Sequence, residues 1–268
     1  MEKGKLIGQG RTAEIFEWGE DKILKLFRSG IPQKQVRDEY KISLEISKKI
    51  KLTPKVYEFI EIDNRNGIIY ERINGPAMMK IIASKPWTVK KEAQRLAELH
   101  KSIQKKIDFE LPKYKVRLME DISRVNLLSD DIKTKLYKYI EELPDGDMLC
   151  HGDLHPDNIL ITKDEPIIID WMTATKGNPL ADVARTSIMF KFGDIPEKSY
   201  IEKKIINFIR KKFYLEYIKR YINISKVDIE QIKRWELPVA AARLVEWIPE
   251  NEKIDILNFI TREIENLP

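Results

Sequence analysis

The chain has little cysteine and little histidine, and both shortages exclude classes of protein. Its 268 residues include 1 Cys and 3 His. A single cysteine, Cys150, cannot form an internal disulfide, which fits a reducing compartment. Because zinc sites are built mainly from these two residue types, the chain holds little material for one. We therefore expect a cytoplasmic protein.

Long apolar runs are also missing. Runs such as Ile167–Ile169 fall far short of the roughly 20 residues that span a bilayer. The first residues, MEKGKLIGQGR, lack the apolar core of a signal peptide. No block of five or more like charges stands out, and the formal net charge is +5. With 43% hydrophobic residues the chain can bury a core, which excludes disorder and leaves one large domain or two lobes.

Turn signals divide the chain into a β-rich part and a helical part. The first part is predicted to contain strands at 13–18, 22–26, 56–62 and 67–71, a helix at 32–50 and a turn at 64–67. The second part is predicted to contain helices at 87–104, 115–142 in pieces, 199–222, 228–247 and 252–266, and a hairpin of strands 159–161 and 167–169. The break at Asn74-Gly75-Pro76 separates a lobe of residues 1–73 from a lobe of residues 74–268.

The most basic region is 198–226. Its apolar residues Ile201, Ile205, Phe208 and Ile209 recur at helical spacing with Lys and Arg between them, which predicts an amphipathic helix with a solvated basic face. The alternative is a surface for an anionic partner, either nucleic acid or membrane.

The segment LCHGDLHPDNILITKDEPIIIDW (149–171) carries the residue types that phosphoryl transfer needs. Asp153 can orient and deprotonate an attacking hydroxyl, and the oxygens of Asn158 and Asp170 can hold Mg²⁺ against phosphates. Gly152 and Pro156 disfavour a helix, so we expect a loop. Asp170 ends an apolar strand, where a bound cation would offset the cost of burying a carboxylate.

HGDLHPDNIL followed by IIIDW resembles the catalytic loop and metal-binding strand of aminoglycoside phosphotransferases and choline kinases, which are relatives of the protein kinases. The stretch GNPLADVAR (177–185) resembles the G-D-P-x-x-D-L-A motif of this superfamily. The resemblance implies that Asp182 braces the catalytic loop. His151 is expected to be a structural residue packed beneath that loop. Asn178 departs from the motif, which has an acidic residue there.

The resemblance also implies a nucleotide-covering N-terminal lobe. Gly8 and Gly10 resemble the Gly-rich loop of kinases, whose backbone N–H groups approach phosphates. Lys25 matches the phosphate-binding lysine, with Glu39 as its ion-pair partner and Glu45 as the alternative. By the same resemblance, backbone groups of Glu71 and Ile73 would meet the adenine ring.

The same residues allow other interpretations. His151 and His155 flank Asp153, which permits a metal site, although Gly152 and Pro156 oppose the helix that such spacing needs. Cys150 is adjacent to His151, which could indicate a thiol nucleophile. Neighbouring residues of an extended segment point to opposite faces, so we expect Cys150 to be buried and inert. No G-x-x-x-x-G-K-[ST] occurs, which excludes a P-loop enzyme.

The acceptor is expected to be a small molecule. Asp170 and Asp182 are twelve residues apart with no A-P-E between them, which leaves no room for the peptide platform of a protein kinase. The region of Asp157, Glu246 and Trp247 is the predicted substrate site. Four tryptophans are expected to pack in the core or in grooves, with an aromatic cage around a quaternary ammonium as the alternative: Trp87, Trp171, Trp235 and Trp247.

Together these features predict an α+β, bilobal protein-kinase-like fold with a small β-rich N-lobe and a larger helical C-lobe. The predicted activity transfers the γ-phosphate of ATP, or of GTP in its place, to a hydroxyl of a small molecule with Mg²⁺. Neither membrane nor nucleic acid is an expected partner. The alternatives are a basic nucleic-acid-binding or regulatory module on a kinase-like fold, and a protein kinase.

Overall fold

The structure is a computed structural model that describes residues 3–194 and 198–266. Its strands are β1 (Leu6–Gln9), β2 (Ala13–Glu17), β3 (Lys22–Phe27), β4 (Val56–Ile62), β5 (Arg65–Glu71), β6 (Met148–Cys150), β7 (Ile159–Ile161), β8 (Pro166–Ile168) and β9 (Thr175–Gly177). Its α-helices are α1 (Gln33–Lys49), α2 (Met78–Ser84), α3 (Val89–Ile103), α4 (Tyr114–Ser123), α5 (Asp130–Glu142), α6 (Pro179–Phe192), α7 (Tyr200–Ser225), α8 (Ile229–Arg243) and α9 (Glu250–Glu265). Short 3₁₀ turns lie at Pro86–Thr88, Pro156–Asn158 and Trp171–Thr173.

The chain divides into two compact units that alternate along the sequence. The first, here called the sheet unit, takes residues 1–80 and 156–173. The second, here called the helical unit, takes residues 81–155 and 174–268. The sheet unit therefore extends past residue 73, and it includes the hairpin of β7 and β8 that the sequence analysis assigned to the helical part.

The sheet unit is built on a five-stranded antiparallel sheet with strand order β1-β2-β3-β5-β4. Side chains alternate along β3, so Leu24 and Leu26 pack into one apolar cluster and Phe27 packs into another on the opposite face. Helix α1 supplies Val36 to the cluster of Phe27. Lys25, which alternates with the two leucines, therefore lies on the face that α1 covers.

Strands β7 and β8 form a two-stranded antiparallel hairpin in the same unit. Ile159 pairs with Ile168 in its register. The N–H of Ile168 also donates to the carbonyl of Leu52 at 2.7 Å, and the N–H of Ile161 donates to the carbonyl of Pro76 at 2.9 Å. These bonds tie both strands of the hairpin to the N-terminal part of the sheet unit.

The helical unit packs α3 along α7 and α6 against α8. Its core includes the almost fully buried aromatic residues Tyr217 and Tyr221 of α7 and Trp235 of α8. A capping box of Ser199 and Glu202 starts α7, in which each side chain accepts a backbone N–H of the other residue. This satisfies donors that the first helical turn leaves unpaired.

The turn between β4 and β5 lies earlier than predicted. Strand β5 begins at Arg65, and the turn residues Asp63 and Asn64 have positive φ angles of 52° and 55°. The predicted turn at 64–67 is wrong because Asp and Asn tolerate the left-handed region without glycine. Gly67 lies inside β5 instead, where a Cβ would meet a leucine of β3 at 2.6 Å.

Helix α7 does not bury the apolar residues that the sequence suggested. Ile201, Ile205 and Phe208 are exposed by 70%, 55% and 70%, so the expected division into apolar and basic faces fails in the first half of the helix. The buried residues of α7 lie further along, from Phe213 to Tyr221. No helix in the described ranges, α7 included, is long and apolar enough to cross a membrane.

Candidate active site

The loop after β6 carries Asp153, the predicted catalytic residue. Gly152 has a φ of 79°, a left-handed conformation that residues with a Cβ rarely adopt. The backbone can therefore turn between His151, which is fully buried, and Asp153, whose side chain is 30% exposed. The N–H of Asp153 donates to Nδ1 of His151 at 3.2 Å. His151 thus packs beneath the loop and supports it.

Helix α6 begins with a cap that accounts for the unusual residue in the motif. The side-chain oxygen of Asn178 accepts the N–H of Leu180 at 2.9 Å, and Pro179 occupies the first helical position. Asn and Asp are equally good N-caps, and a proline there loses no helical hydrogen bond. Asn178 also donates through Nδ2 to the carbonyl of Pro144 at 3.2 Å, which a carboxylate could not do.

Asp182, in the first turn of α6, is fully buried and holds the backbone of the loop. Its Oδ2 accepts the N–H of His151 at 2.6 Å, and its Oδ1 accepts the N–H of Gly152 at 2.7 Å. Nε2 of His100 on α3 lies 3.0 Å from Oδ2. Burial raises the pKa of Asp182, but His100 and the backbone donors outweigh it and the pKa lies below its ordinary value.

One turn further along α6, Arg185 and Thr186 reach the next two residues of the loop. Nη2 of Arg185 lies 3.3 Å from Oδ1 of Asp153, and Nε2 of His155 lies 3.4 Å from Oδ2. The hydroxyl of Thr186 donates to the carbonyl of Leu154 at 2.9 Å. Burial opposes ionisation of Asp153, but the hydrogen bond from His155 and the charge of Arg185 hold its pKa well below its usual range.

Three further predicted residues meet in the sheet unit, around Lys25. Its Nζ lies 2.6 Å from Oε1 of Glu39 and 3.1 Å from Oδ1 of Asp170. Burial disfavours the charged amine, but the two carboxylates outweigh it and raise the pKa of Lys25 above its ordinary range. Glu45, the alternative partner, pairs instead with Lys48 at 2.6 Å.

Glu39 is itself held in place by its surroundings. It is 3% exposed, and the hydroxyl of Tyr70 lies 3.3 Å from its Oε1 and 3.3 Å from Oγ of Ser43. Its Oε2 is buried without a hydrogen-bond partner among the described residues. Because a buried carboxylate without a counterion is costly, the burial of Glu39 favours the conformation in which Lys25 lies beside it.

The hairpin brings Asn158 and Asp170 to the same end. The carbonyl of Asn158, just before β7, accepts the N–H of Ile169 at 2.9 Å. Asp170 follows with a φ of 65°, a left-handed conformation that Asp tolerates better than most residues. Its side chain is 39% exposed. Within the described residues, no group of three or more His, Cys, Asp or Glu side chains could hold a metal by itself.

Gly8 and Gly10 differ from every other glycine of the chain. A Cβ at Gly8 or Gly10 would meet its nearest neighbour at 3.7 or 3.8 Å, which is ordinary contact, and neither φ is positive. At each of the other nine, either φ is positive or a Cβ would come within 3.0 Å of another atom. Neither packing nor backbone conformation therefore requires a glycine at these two positions.

Glu71 is the last residue of β5, and Ile73 lies two residues further along the chain. The N–H of Glu71 donates to the carbonyl of Lys55 at 2.9 Å. The N–H of Lys55 donates to the carboxylate of Glu71 at 3.0 Å rather than to its carbonyl. The carbonyl of Glu71 is therefore left out of this pair of bonds.

The three predicted substrate residues are divided between the two units. Asp157 lies in the 3₁₀ turn of the sheet unit, whereas Glu246 and Trp247 follow α8 in the helical unit. Glu246 forms ion pairs with Arg185 at 2.5 Å and Arg243 at 3.1 Å. Trp247 is 91% exposed.

Two of the four tryptophans pack in the core, as expected, which excludes an aromatic cage made of all four. Trp171 and Trp235 are 2% and 1% exposed and belong to the core. Nε1 of Trp171 donates to the carbonyl of Ile168 at 3.2 Å, so its indole is fixed within the sheet unit. Trp87 and Trp247 are exposed.

Sequence reasoning missed Arg185, Thr186 and His100. The signal for the first two was present, since they follow Asp182 by three and four residues. On a helix these positions share one face, and a helix that braces a loop through Asp182 must present them to the same loop. His100 comes from α3, and no local pattern connects it with Asp182.

A profile described as "Phosphotransferase enzyme family" matches residues 3–208 of the chain. The comparison with curated protein sequences gave no significant match. Among solved structures, the chain is similar to a thermostable mutant of aminoglycoside phosphotransferase APH(4)-Ia in ternary complex with AMP-PNP and hygromycin B. The TM-score is 0.63 at 15% identity, covering 98% of this chain and 91% of the other.

Two further structures illustrate the range of the likeness. The streptomycin–ATP ternary complex of APH(2")-IIa has a TM-score of 0.60 at 15% identity, covering 97% of this chain and 91% of the other. Choline kinase from Cryptosporidium parvum Iowa II has a TM-score of 0.55 at 15% identity, covering 97% and 88%. These likenesses confirm the α+β kinase-like fold. Because the profile spans most of the sequence, the chain belongs to the phosphotransferase enzyme family, which confirms the predicted family and class of enzyme.

Proposed function

We propose that this phosphotransferase moves the γ-phosphate of ATP to a hydroxyl of a small molecule, in the cytoplasm and with Mg²⁺. The observation that carries the proposal is the position of Lys25, 2.6 Å from Glu39 and 3.1 Å from Asp170. A lysine held between a buried acid and an exposed acid keeps its charge and its direction. Such an amine is suited to the α- and β-phosphates of a nucleotide.

Asp153 would orient the acceptor hydroxyl and take its proton. Its carboxylate is ionised at neutral pH because its pKa is held low by His155 and Arg185 against the effect of burial. A carboxylate of low pKa is a weak base, so we assign it mainly to orientation, with proton transfer late in the reaction. The acceleration would come from positioning and from charge neutralisation.

Gly8 and Gly10 would let the β1–β2 turn approach the phosphates. Since neither residue is required to be glycine by the fold, the absent side chains are best explained by a ligand that needs the space. Backbone N–H groups in such a loop bind anionic oxygens. The carbonyl of Glu71, which Lys55 does not use, together with Ile73 would bind adenine.

Asn158 and Asp170 would hold Mg²⁺. Their oxygen donors are those that this ion prefers, and Mg²⁺ commonly takes one or two protein ligands and completes its shell with water and phosphates. The bound ion would neutralise charge that develops on the phosphate oxygens.

The acceptor is the least determined part of the proposal. Structural relatives include complexes with hygromycin B and with streptomycin, and a choline kinase. Glu246 is already compensated by Arg185 and Arg243, so it offers little to a polycation. The acceptor panel should therefore include neutral sugars and nucleosides as well as aminoglycosides, choline, ethanolamine and other amino alcohols.

The test is Mg²⁺-dependent release of ADP from ATP, with each acceptor in turn and with Asp153→Asn beside the wild type. The expected result is one class of acceptor that stimulates release by the wild type but not by the variant. Repeating the assay with GTP identifies the donor. Absence of nucleotide binding, together with salt-sensitive binding of RNA or DNA, would overturn the proposal in favour of a nucleic-acid module.

A further inference from the structure

Arg185 belongs to a chain of five alternating charges that begins at Asp153. Arg185 contacts Asp153 at 3.3 Å and Glu246 at 2.5 Å. Glu246 then contacts Arg243 at 3.1 Å, and Arg243 contacts Glu252 of α9 at 2.6 Å. All five residues lie in the helical unit. We call this series the charge ladder.

The guanidinium of Arg185 is held between two carboxylates of the ladder, those of Asp153 and Glu246. The two terminal nitrogens of Arg185 point in different directions, Nη2 to Asp153 and Nη1 to Glu246. Because a guanidinium is planar and rigid, fixing Nη1 also fixes Nη2. Glu246 cannot easily move, since Arg243 holds its other oxygen.

We propose that Arg185 is a positioning residue of the phosphoryl-transfer reaction, which holds the carboxylate of Asp153 in the orientation that the acceptor hydroxyl requires. The inference rests on the proposed function. One oxygen of Asp153 faces Arg185 and the other faces His155, so the plane of the carboxylate is fixed from both sides. Glu246 thereby gains a role different from the substrate contact that the sequence suggested.

If Arg185 served only to stabilise the fold through an ion pair, the protein would bear a free-energy cost that another residue could avoid. Nε of Arg185 is buried and lacks a hydrogen-bond partner among the described residues, and such groups are unfavourable. Lys191 shows that α6 can pair a buried acid without this cost. It lies six residues further along and places Nζ 2.7 and 2.6 Å from the two oxygens of Glu236.

The experiment compares Arg185→Met with Lys191→Met. Both variants remove a cation of α6 that is paired with a carboxylate, but only Arg185 contacts Asp153. We expect Arg185→Met to lower kcat at least tenfold relative to Lys191→Met, with the KM for ATP changed less than twofold. Arg185→Lys keeps the charge but loses the planar fork, so it should restore part of kcat. Glu246→Gln should lower kcat less than Arg185→Met.

The outcomes separate the inference from the proposed function. If the wild type shows no acceptor-dependent release of ADP, the proposed function fails and the inference fails with it. If the wild type is active and Arg185→Met matches Lys191→Met in kcat, the inference alone is overturned. Should Arg185→Met not fold, Arg185→Lys and Glu246→Gln decide, since wild-type kcat in both would also overturn it.

Discussion

Asp153 and Asp170 are both carboxylates that the sequence places in the reaction, yet the fold holds them in opposite ways. Asp153 lies in a loop whose residues 151 to 154 are each bound by a side chain of α6 or by a neighbour in the loop. Its two oxygens face Arg185 and His155. Asp170 lies at the open end of a hairpin, 39% exposed, with Lys25 beside one oxygen and a left-handed backbone.

The difference matches what each group would do. A residue that orients a hydroxyl must not rotate, and small misplacements are costly in rate. The carboxylate of Asp170 would bind Mg²⁺ beside waters and phosphates, so it needs an oxygen that they can reach. The rigid loop and the open hairpin end are thus two solutions to two demands, and each can be tested by removing what distinguishes it.

The largest effect is expected at Asp153. Asp153→Asn should reduce kcat by about 10²–10⁴, the usual range for a positioned acid–base group. Affinity for ATP should not change, since the proposed nucleotide contacts lie elsewhere. Steady-state kinetics and calorimetric titration with ATP provide the two measurements. Loss of both kcat and ATP affinity would show that Asp153 is structural.

Asp182 should matter for stability rather than for the reaction directly. Asp182→Ala leaves two backbone N–H groups and His100 without their acceptor. At about 1–3 kcal/mol for each buried group without a partner, the free energy of unfolding should fall by roughly 3 kcal/mol or more. Urea denaturation beside Asp153→Asn measures this, and equal stability of the two variants would contradict the bracing role.

Asp182 should also make the free energy of unfolding depend on pH. The pKa of Asp182 is lower in the folded protein than its ordinary value, so its ionisation stabilises the fold above about pH 4, the unfolded value. That stabilisation disappears as the pH falls through the folded pKa. Asp182→Asn should therefore lose less stability than the wild type between about pH 6 and pH 3. Parallel urea curves at the two pH values would reveal an equal loss if this is wrong.

Much of this comparison was visible in the sequence, for local reasons. The run from His151 to Asp170 fixes a loop, a hairpin and the order of the acids, because Gly152, Pro156 and the alternating apolar residues act over short distances. The pairing of Lys25 with Glu39 was predicted from the resemblance to kinases and not from a local pattern, which left Glu45 as an alternative. The predicted helices begin and end within a few residues of the observed ones, but the sequence patterns did not predict α2 or α6.

The parts that escaped prediction depend on tertiary contacts. Phe208 is exposed although its helical spacing predicted a buried face. The spacing identifies the helix but does not show how far neighbouring helices extend along it. His100 reaches Asp182 across 82 residues of sequence. The pairing of Glu246 with Arg185 joins two helical segments in the same way, and no local pattern indicates it.

A smaller effect is expected at the open hairpin end. Asp170→Asn removes the charge but keeps a residue that tolerates the left-handed backbone, so folding should be preserved. The affinity for Mg·ATP should fall at least tenfold, about 1.4 kcal/mol. Asp164→Ala, in the exposed turn of the same hairpin, is the matched control. Calorimetric titrations that show equal affinities for both variants would remove Asp170 as a ligand.

The smallest effect concerns the glycines and tests whether their positions serve a ligand. A Cβ at Gly10 has room, whereas a Cβ at Gly75 would lie 2.3 Å from the carbonyl oxygen of Ile161. Gly10→Ala should therefore leave the melting temperature unchanged or slightly raised. Alanine lowers the conformational entropy of the unfolded chain, which can stabilise the folded protein by about 0.4–1 kcal/mol. It should nonetheless raise the KM for ATP several-fold, because the added methyl group occupies space that the phosphates need.

Gly75→Ala should show the reverse, a lower melting temperature with an unchanged KM in the fraction that folds. A Gly10→Ala enzyme with wild-type KM would mean that the turn is an ordinary hairpin, and the nucleotide contacts of the sheet unit would then depend on Lys25 and Asp170 alone.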